Sequence, residues 1–255
     1  MSQVTTLTSC YKGGKFLQRF IKNVESQSYN NLSLNIELVK PTRKEIYILK
    51  KNSKNMQNLE FNIYDNLITL PEAWNKTIQT KQSDYFCIWN VDDLRTEDSI
   101  ESMATALDDN PKCDFVYGNY YIVDKFGSQK GGLIDEQGRE DELQSSMILG
   151  PFFMFRAKVL DSIGLFDEQL LSGADYDFAM RLSRNFKGIH IDKNLGYYLN
   201  TSSGLSTRKN SVQELERTVV EIRYNIPVIN KNLISEANDK YRVHHLKHGD
   251  SYKKV

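Results

Sequence analysis

The chain has 255 residues, 40% of them hydrophobic, with 33 acidic side chains balancing 33 basic ones. That length suits one large α/β domain, or a domain with a small appendage, and the balanced charge excludes nucleic-acid binding driven by bulk positive charge. No apolar run is long enough to span a bilayer, and Met1-Ser2-Gln3-Val4 opens no charged-then-apolar leader, so the reading is a cytoplasmic chain without a transmembrane segment.

Val4 to Cys10, rich in Thr and Val, reads as a first strand, broken by Tyr11-Lys12-Gly13-Gly14. A helix follows with Phe16, Leu17, Phe20, Ile21 and Val24 on one face. Leu32 to Val39 is a second strand, ended by Lys40-Pro41, and the lysine-rich stretch to about Asn58 gives no clear periodicity. Leu59 to Ile63 reads as a short strand and Pro71 to Thr80 as a helix with proline near its start. The strand from Tyr85 to Val91 and a helix with Ile100, Met103, Ala104 and Leu107 in a stripe come next. Asp114 to Val123 is a strand by composition, with Asp124-Lys125-Phe126-Gly127 as a hairpin turn and Gly131 to Ile134 as the return. Phe152 to Phe155 is another strand, followed by helices around Ala157 to Ile163 and Tyr176 to Asn185. Ile189 to Ile191 and Leu195 to Leu199 read as closing strands, and Thr201 to Asn210 as a polar loop. Val212 to Tyr224 and Pro227 to Leu246 read as a helical extension with a lysine-rich tail. Helices alternating with strands in the first half imply a largely parallel sheet, and the hairpin-like middle adds antiparallel strands. Cys10, Cys87 and Cys113 lack metal-ligand spacing, and Cys87 reads as a buried reduced thiol. The sequons at Asn31, Asn75 and Asn200 are then chance matches.

Two acidic positions carry chemistry. The run Tyr85-Phe86-Cys87-Ile88-Trp89-Asn90-Val91 stops abruptly at Asp92-Asp93. Burying an unpaired carboxylate is costly, so such a strand ends at an open crevice, where α/β folds bind ligands. Two acids there suit a divalent cation clamping a diphosphate; a solvated turn or a helix N-cap, given Thr96-Glu97-Asp98, is the competing account. Downstream, Gly173 breaks the chain and Asp175 falls at a helix N-terminus, where the macrodipole favours the ionised carboxylate. Asp175 is either an ordinary cap, the commoner use of Asp there, or a general base.

The order of parts resembles the inverting nucleotide-sugar glycosyltransferases of family 2, which have the GT-A fold, over residues 3 to 208. Val4 to Lys12 resembles the family's opening strand and turn, and Phe16 to Tyr29 its first helix. Asn90-Val91-Asp92-Asp93 stands at the acidic metal motif, and Ile163-Gly164-Leu165-Phe166-Asp167-Glu168 resembles its isoleucine-glycine-glycine-phenylalanine-aspartate-glutamate segment. Ala174-Asp175-Tyr176-Asp177 with Arg181-Leu182 resembles the glutamate-aspartate motif and its helix. The resemblance implies a mixed, mainly parallel α/β sheet flanked by helices, a GT-A domain at 1–208 and a helical extension at 209–255. It implies a nucleoside-diphosphate-sugar donor, a carbohydrate or other hydroxyl acceptor, and Mn²⁺ or Mg²⁺ held by Asp92 and Asp93. It further assigns Ser9, Tyr11, Asn90, Asp92 and Arg208 to the donor, Asp175 as base, and Gly150, Ala174 and Asp177 to the acceptor side.

The sequence departs from the family at three places. No acid follows the second strand at Val39-Lys40-Pro41-Thr42, leaving Glu37 and Glu45 as substitutes for the one that holds the base. Asn90 stands where an aspartate is common, and Ala174 replaces the usual glutamate. A catalytically silent module that binds a nucleotide sugar or a partner protein is therefore the alternative to an enzyme of glycan or polysaccharide synthesis. A nucleotidyltransferase is the third reading, opposed by the poor match of Tyr11-Lys12-Gly13-Gly14 to a phosphate-binding loop. Arg208-Lys209 is a lid over phosphates or a plain surface loop. His244, His245 and His248 read as a solvated helix face rather than a metal site. A homo-oligomer or further domains of a longer protein stay open.

Overall fold

The computed structural model describes residues 1–126, 132–200, 204, 205, 207 and 211–255. Its first half alternates β1 (Val4–Tyr11), α1 (Gly14–Glu25), β2 (Leu32–Val39), α2 (Arg43–Asn52), β3 (Leu59–Tyr64), α3 (Leu70–Thr80) and β4 (Tyr85–Ile88). Each helix has a local cause. α1 buries Leu17, Phe20, Ile21 and Val24, the apolar stripe seen in the sequence. α2 fills the lysine-rich stretch and starts from a capping box: Glu45 N–H donates to Thr42 Oγ1 and Thr42 N–H to Glu45 Oε2. α3 starts from the same device, Thr69 with Glu72, and carries Pro71 in its first turn, where no N–H is missed.

The second half runs β5 (Leu94–Arg95), α4 (Ser99–Asp109), β6 (Phe115–Val123), β7 (Gly132–Ile134), β8 (Met154–Arg156), α5 (Leu160–Ile163), α6 (Ala174–Asn185) and β9 (Gly188–Leu199). After them come α7 (Gln213–Arg223), α8 (Ile234–Lys240), β10 (His245–His248) and β11 (Ser251–Lys254). The main sheet has the order β3-β2-β1-β4-β8-β6-β9-β5, with β7 paired to β6. β1 to β4 associate in parallel, β8 is antiparallel to both its neighbours, and β9 runs parallel to β6. Mixed, mainly parallel architecture is thus what the alternation of elements implied.

Three local readings differ. The two closing strands are one strand, β9, which follows β6 through two register shifts. The final segment is not helical to its end: His245, Leu246, Lys247 and His248 pair antiparallel with Lys254, Lys253, Tyr252 and Ser251 around Gly249, whose φ is +56°. His244, His245 and His248 therefore belong to a β-hairpin and its approach, and among the described residues no three His, Cys, Asp or Glu side chains gather as metal ligands. Agreement is found at Cys87, a buried free thiol as Cys10 and Cys113 also are, and at Asn75, whose burial removes it as a glycan acceptor.

The core lies on both faces of the sheet. One face packs α1, α2 and α4 through Phe20, Leu49, Met103 and Leu107. The other packs α3, α6 and α7 through Trp74, Phe178, Leu182, Val219 and Val220, with the Phe166 and Phe178 rings stacked at 4.2 Å. The extension thus shares a core with the rest of the chain. A buried ionic cluster locks it there. Asp177 accepts from Arg181 Nε and Nη2 at 2.9 and 2.8 Å, from Arg223 Nη1 and from the Tyr224 hydroxyl. Arg223 also pairs with Asp167 at 2.9 Å and donates to the carbonyls of Val243 and His245. Removing one partner of a buried pair strands the others, at a cost of about 3–5 kcal/mol. Arg223→Met is expected to lose that much, read as a fall in the urea midpoint; an unchanged midpoint would mean the carboxylates find other partners.

Candidate functional site

Parallel pairing sets the site. Leu7 of β1 lies opposite Ile88 of β4, and Tyr11 opposite Val39 of β2, so three neighbouring strands end at one edge. The two residues that leave β1 and β2, Lys12 and Lys40, both have left-handed backbones, with φ of +54° and +44°. Such conformations are costly outside glycine and gather where the chain must turn sharply beside a site. Gly13 then passes so close to the end of β1 and the turn after β4 that a Cβ on it would sit 2.8 Å from Cys10 Sγ and 2.9 Å from Val91 Cγ2. The β1–α1 turn is pressed against the Asn90–Asp93 turn by this contact.

The two adjacent acids part company. Asp93 is 2% exposed, and both its oxygens are engaged inside the protein: Oδ1 accepts Leu199 N–H at 3.0 Å and Oδ2 accepts Asn90 Nδ2 at 3.3 Å. Burial and the neighbouring Asp92 push its carboxyl up to about 8. Asp92 is only half-buried; burial raises its pKa, while its own backbone N–H and the charges of Lys15 and Arg19 pull it down. Asp93 is therefore an anchor for the end of β9, and Asp92 is the carboxylate presented at the strand edge. Asn90 gains a physical reason here. Its amide donates to the buried Asp93, which an aspartate in that place could do only when protonated.

Could these residues hold a divalent cation? A closed cage is absent among the described residues. Mg²⁺-like ions, however, are often held by one or two carboxylates with substrate phosphates and waters completing the shell. Asp92 fits that kind of site, one completed by a diphosphate.

Of the other donor-side residues, Tyr11 is 46% exposed at the end of β1, with Lys12 Nζ over its ring at 5.1 Å from the centroid. Ser9 is half-buried within β1, opposite Glu37. Arg208 lies outside the described residues. The two substitutes for the missing acid are both buried and engaged inside the protein. Glu37 is fully buried and accepts from Asn35, Asn62 and Thr77, an internal commitment beneath α3. Glu45 is 2% exposed as well: its Oε2 is held by the Thr42 capping box, and its Oε1 lies against the β1–α1 turn, 3.3 Å from where a Gly14 Cβ would be.

Asp175 is the second residue of α6, with Gly173 as N-cap and the buried Ala174 first. It is half-buried, its Oδ1 accepts Tyr176 N–H at 2.8 Å, and burial pushes its carboxyl up to about 6 against the pull of the helix-start N–H groups. Among the described residues no hydrogen bond or ion pair joins Asp175 to the Asn90–Asp93 turn; the two acids stand on separate elements. Asp177, expected on the acceptor side, points into the interior cluster with a side chain that is 0% exposed. Charge pairing with Arg181 and Arg223 outweighs burial and lowers its pKa. Gly150 has φ of +59°, and a Cβ there would meet Tyr120 Cε1 at 2.5 Å, so it lets the chain turn against that ring.

Two residues at this end escaped sequence reasoning. Asn75 clamps Phe166 through both its backbone groups, at 2.9 Å each, and so pins the Ile163–Glu168 segment. Glu216, buried in α7, accepts the N–H groups of Leu171, Ser172 and Gly173 just before α6. Their partners lie tens of residues away, and no local pattern marks them.

No family model matches the sequence. The chain is 23% identical over 212 residues to an uncharacterized glycosyltransferase of Rickettsia felis, covering 75% of this chain and 33% of that protein, so it spans about a third of the relative's length. Among solved structures it is similar to S. aureus TarS 1-349 in complex with UDP-GlcNAc, at TM-score 0.69 and 15% identity, covering 95% of this chain and 72% of that one. It is also similar to the mannosyltransferase PcManGT of Pyrobaculum calidifontis in complex with GDP-Man and Mn²⁺, at TM-score 0.64 and 13% identity over 95% and 70% of the two chains. The chain has the GT-A fold. No helix among the described residues is long and apolar enough to cross a membrane.

The close approach at Gly13 is open to a direct check. Gly13→Ala overpacks the junction of Cys10 and Val91, which costs about 1–3 kcal/mol in a well-packed interior. Denaturant unfolding of the variant is expected to register that loss; native stability would mean the turn can withdraw from Cys10 and Val91.

Proposed function

We propose that the chain is a metal-dependent, inverting glycosyltransferase of family 2, moving a sugar from a nucleoside diphosphate to an acceptor hydroxyl. The observation that carries this reading is Asp175, a half-buried carboxylate at the start of α6 whose pKa is pushed up to about 6. A general base works best with a pKa near the working pH, and this one is ionised at neutrality yet basic enough to accept a proton. The fold and the relatives that bear glycosyltransferase names favour the same reading.

In this reading Tyr11 stacks on the nucleobase, and Ser9 and Arg208 belong to the donor side. Asp92 would hold Mn²⁺ or Mg²⁺ against the diphosphate, and when bound the ion supplies charge neutralisation of the leaving group. Asn90 and Asp93 keep the turn that presents Asp92. The acceptor hydroxyl gives its proton to Asp175, its oxygen forms the new bond to the anomeric carbon, and the bond to the diphosphate breaks on the opposite face. The electron pair leaves with the phosphate oxygen, and the configuration inverts. Gly150 and Ala174 belong to the acceptor side as backbone positions, Gly150 by letting the chain turn against Tyr120; Asp177 acts there only by holding α6 in place. A carbohydrate acceptor, and with it a role in polysaccharide synthesis, belongs to the same proposal.

The test is nucleoside-diphosphate release with Mn²⁺, starting with UDP-N-acetylglucosamine and GDP-mannose. Asp175→Asn is expected to cut turnover by about 10²- to 10⁴-fold while leaving nucleotide binding intact. Because the base must be ionised, kcat/KM should fall as pH drops through about 6 and level off above it. A flat profile across that range would remove Asp175 as the base. Asp92→Asn is expected to abolish the Mn²⁺-dependent part of UDP or GDP binding, measured by calorimetry. Stabilisation by nucleotide and metal without turnover on any acceptor would favour the silent module, the reading that Ala174 and the acid-free Lys40-Pro41 turn leave standing.

A further inference from the structure

The Leu171-Ser172-Gly173 turn that launches α6 has three backbone N–H groups in a row aimed at one carboxylate. Glu216 Oε1 accepts Leu171 N–H at 2.8 Å, and Oε2 accepts those of Ser172 and Gly173 at 2.6 and 2.8 Å. The Tyr241 hydroxyl adds a fourth donor to Oε1 at 3.0 Å. Glu216 is 0% exposed, and no Lys or Arg among the described residues pairs with it. Its neighbour Arg217 turns away to Glu221. A charge buried this way is tolerated only because these neutral donors fill its lone pairs, and each of them loses its partner if the side chain changes. The approach is tight as well: a Cβ on Gly173 would stand 3.1 Å from Glu216 Cβ. Gly173 is the N-cap of α6, and Asp175 is two residues further on.

We infer that Glu216 is the positioning residue of the site: it fixes the turn from which Asp175 is aimed. The inference rests on Asp175 being the base. α7 then has a function beyond packing. Nothing in Glu216 touches substrate. It acts by holding Leu171–Gly173 in one conformation, so that the carboxylate two residues later meets the acceptor hydroxyl in one geometry. A misplacement of about 1 Å at such a group can cost on the order of 10² in rate. The rise of the Asp175 carboxyl comes first from burial, with Glu216 as a smaller contribution in the same direction, so the role of Glu216 rests on the geometry of the turn.

Glu216→Gln separates this role from plain stabilisation. The amide can still accept from Ser172 and Gly173, but its NH₂ then faces the N–H of Leu171, so the turn is loosened and not emptied. On the full chain, kcat is expected to fall about 10- to 100-fold, with donor KM unchanged and UDP or GDP bound with Mn²⁺ at native affinity and full stoichiometry. Tyr241→Phe, which removes a single donor, is expected to show the same split at about 2- to 5-fold, and it serves where the Gln variant does not fold. In an Asp175→Asn background the Glu216 effect should vanish, because a residue acting through Asp175 has nothing left to position. An equal loss in that background, or native kcat in both variants while Asp175→Asn is inactive, overturns the positioning role alone. Native kcat in Asp175→Asn itself overturns the base and the positioning role together.

Discussion

Four buried charges hold this molecule in register. Asp167 and Asp177 meet Arg181 and Arg223, two negative against two positive, and the side chains of Asp167, Asp177 and Arg223 are 0% exposed. Transferring such groups from water is expensive, and their attraction offsets the cost only when geometry and hydrogen bonding are complete. Completion here needs four separate stretches of chain: the Asp167 segment, α6, the end of α7, and the backbone carbonyls of Val243 and His245. A partly assembled cluster would leave a bare charge in an apolar interior. The last strands therefore dock in one arrangement or not at all, and α6, the helix that carries Asp175, is fixed from its buried side.

The strand edge obeys a related constraint. Asp93 sits inside the protein because Leu199 N–H and the Asn90 amide receive it, so the end of β9 is tied to the turn after β4. A third carboxylate at position 90 would have joined two carboxylates already raised by burial. From the sequence alone Asn90 looked like a charge missing from a metal cluster. In the structure it is the donor that makes a buried acid tolerable, and the deficit belongs to the support of the turn.

What was legible in the sequence follows from range. β1, β2 and β4 lie in the sheet interior, and buried parallel strands read as continuous apolar runs. α1 and α4 announce themselves by period, and Asp177 with Arg181 stands at the i, i+4 spacing of a helical ion pair. α2 was hidden by its lysines, although Thr42 and Glu45 already spelled a capping box. The terminal hairpin was hidden by polar residues, its one signal being the Gly249-Asp250 turn. Asn75 and Glu216 could not be read at all. Asn75 meets Phe166 across 91 positions, and Glu216 meets the 171–173 turn across 43 to 45. A buried polar side chain with a distant backbone partner leaves no periodic trace, because what defines it is the tertiary contact itself.

The same distinction bears on where one unit ends. A boundary at 208 follows from the reach of the family resemblance, which is carried by local motifs. The physical unit is set by burial instead. Leu215, Val219 and Val220 pack with Phe178 and Leu182 of α6 in one cluster, and Glu216 satisfies N–H groups that would otherwise be orphaned beside Asp175. Those N–H groups come from the motif-bearing part and their acceptor from the extension. The two stretches of chain therefore share hydrogen bonds as well as a core, and the turn that launches α6 is satisfied by a side chain from beyond the reach of the motifs.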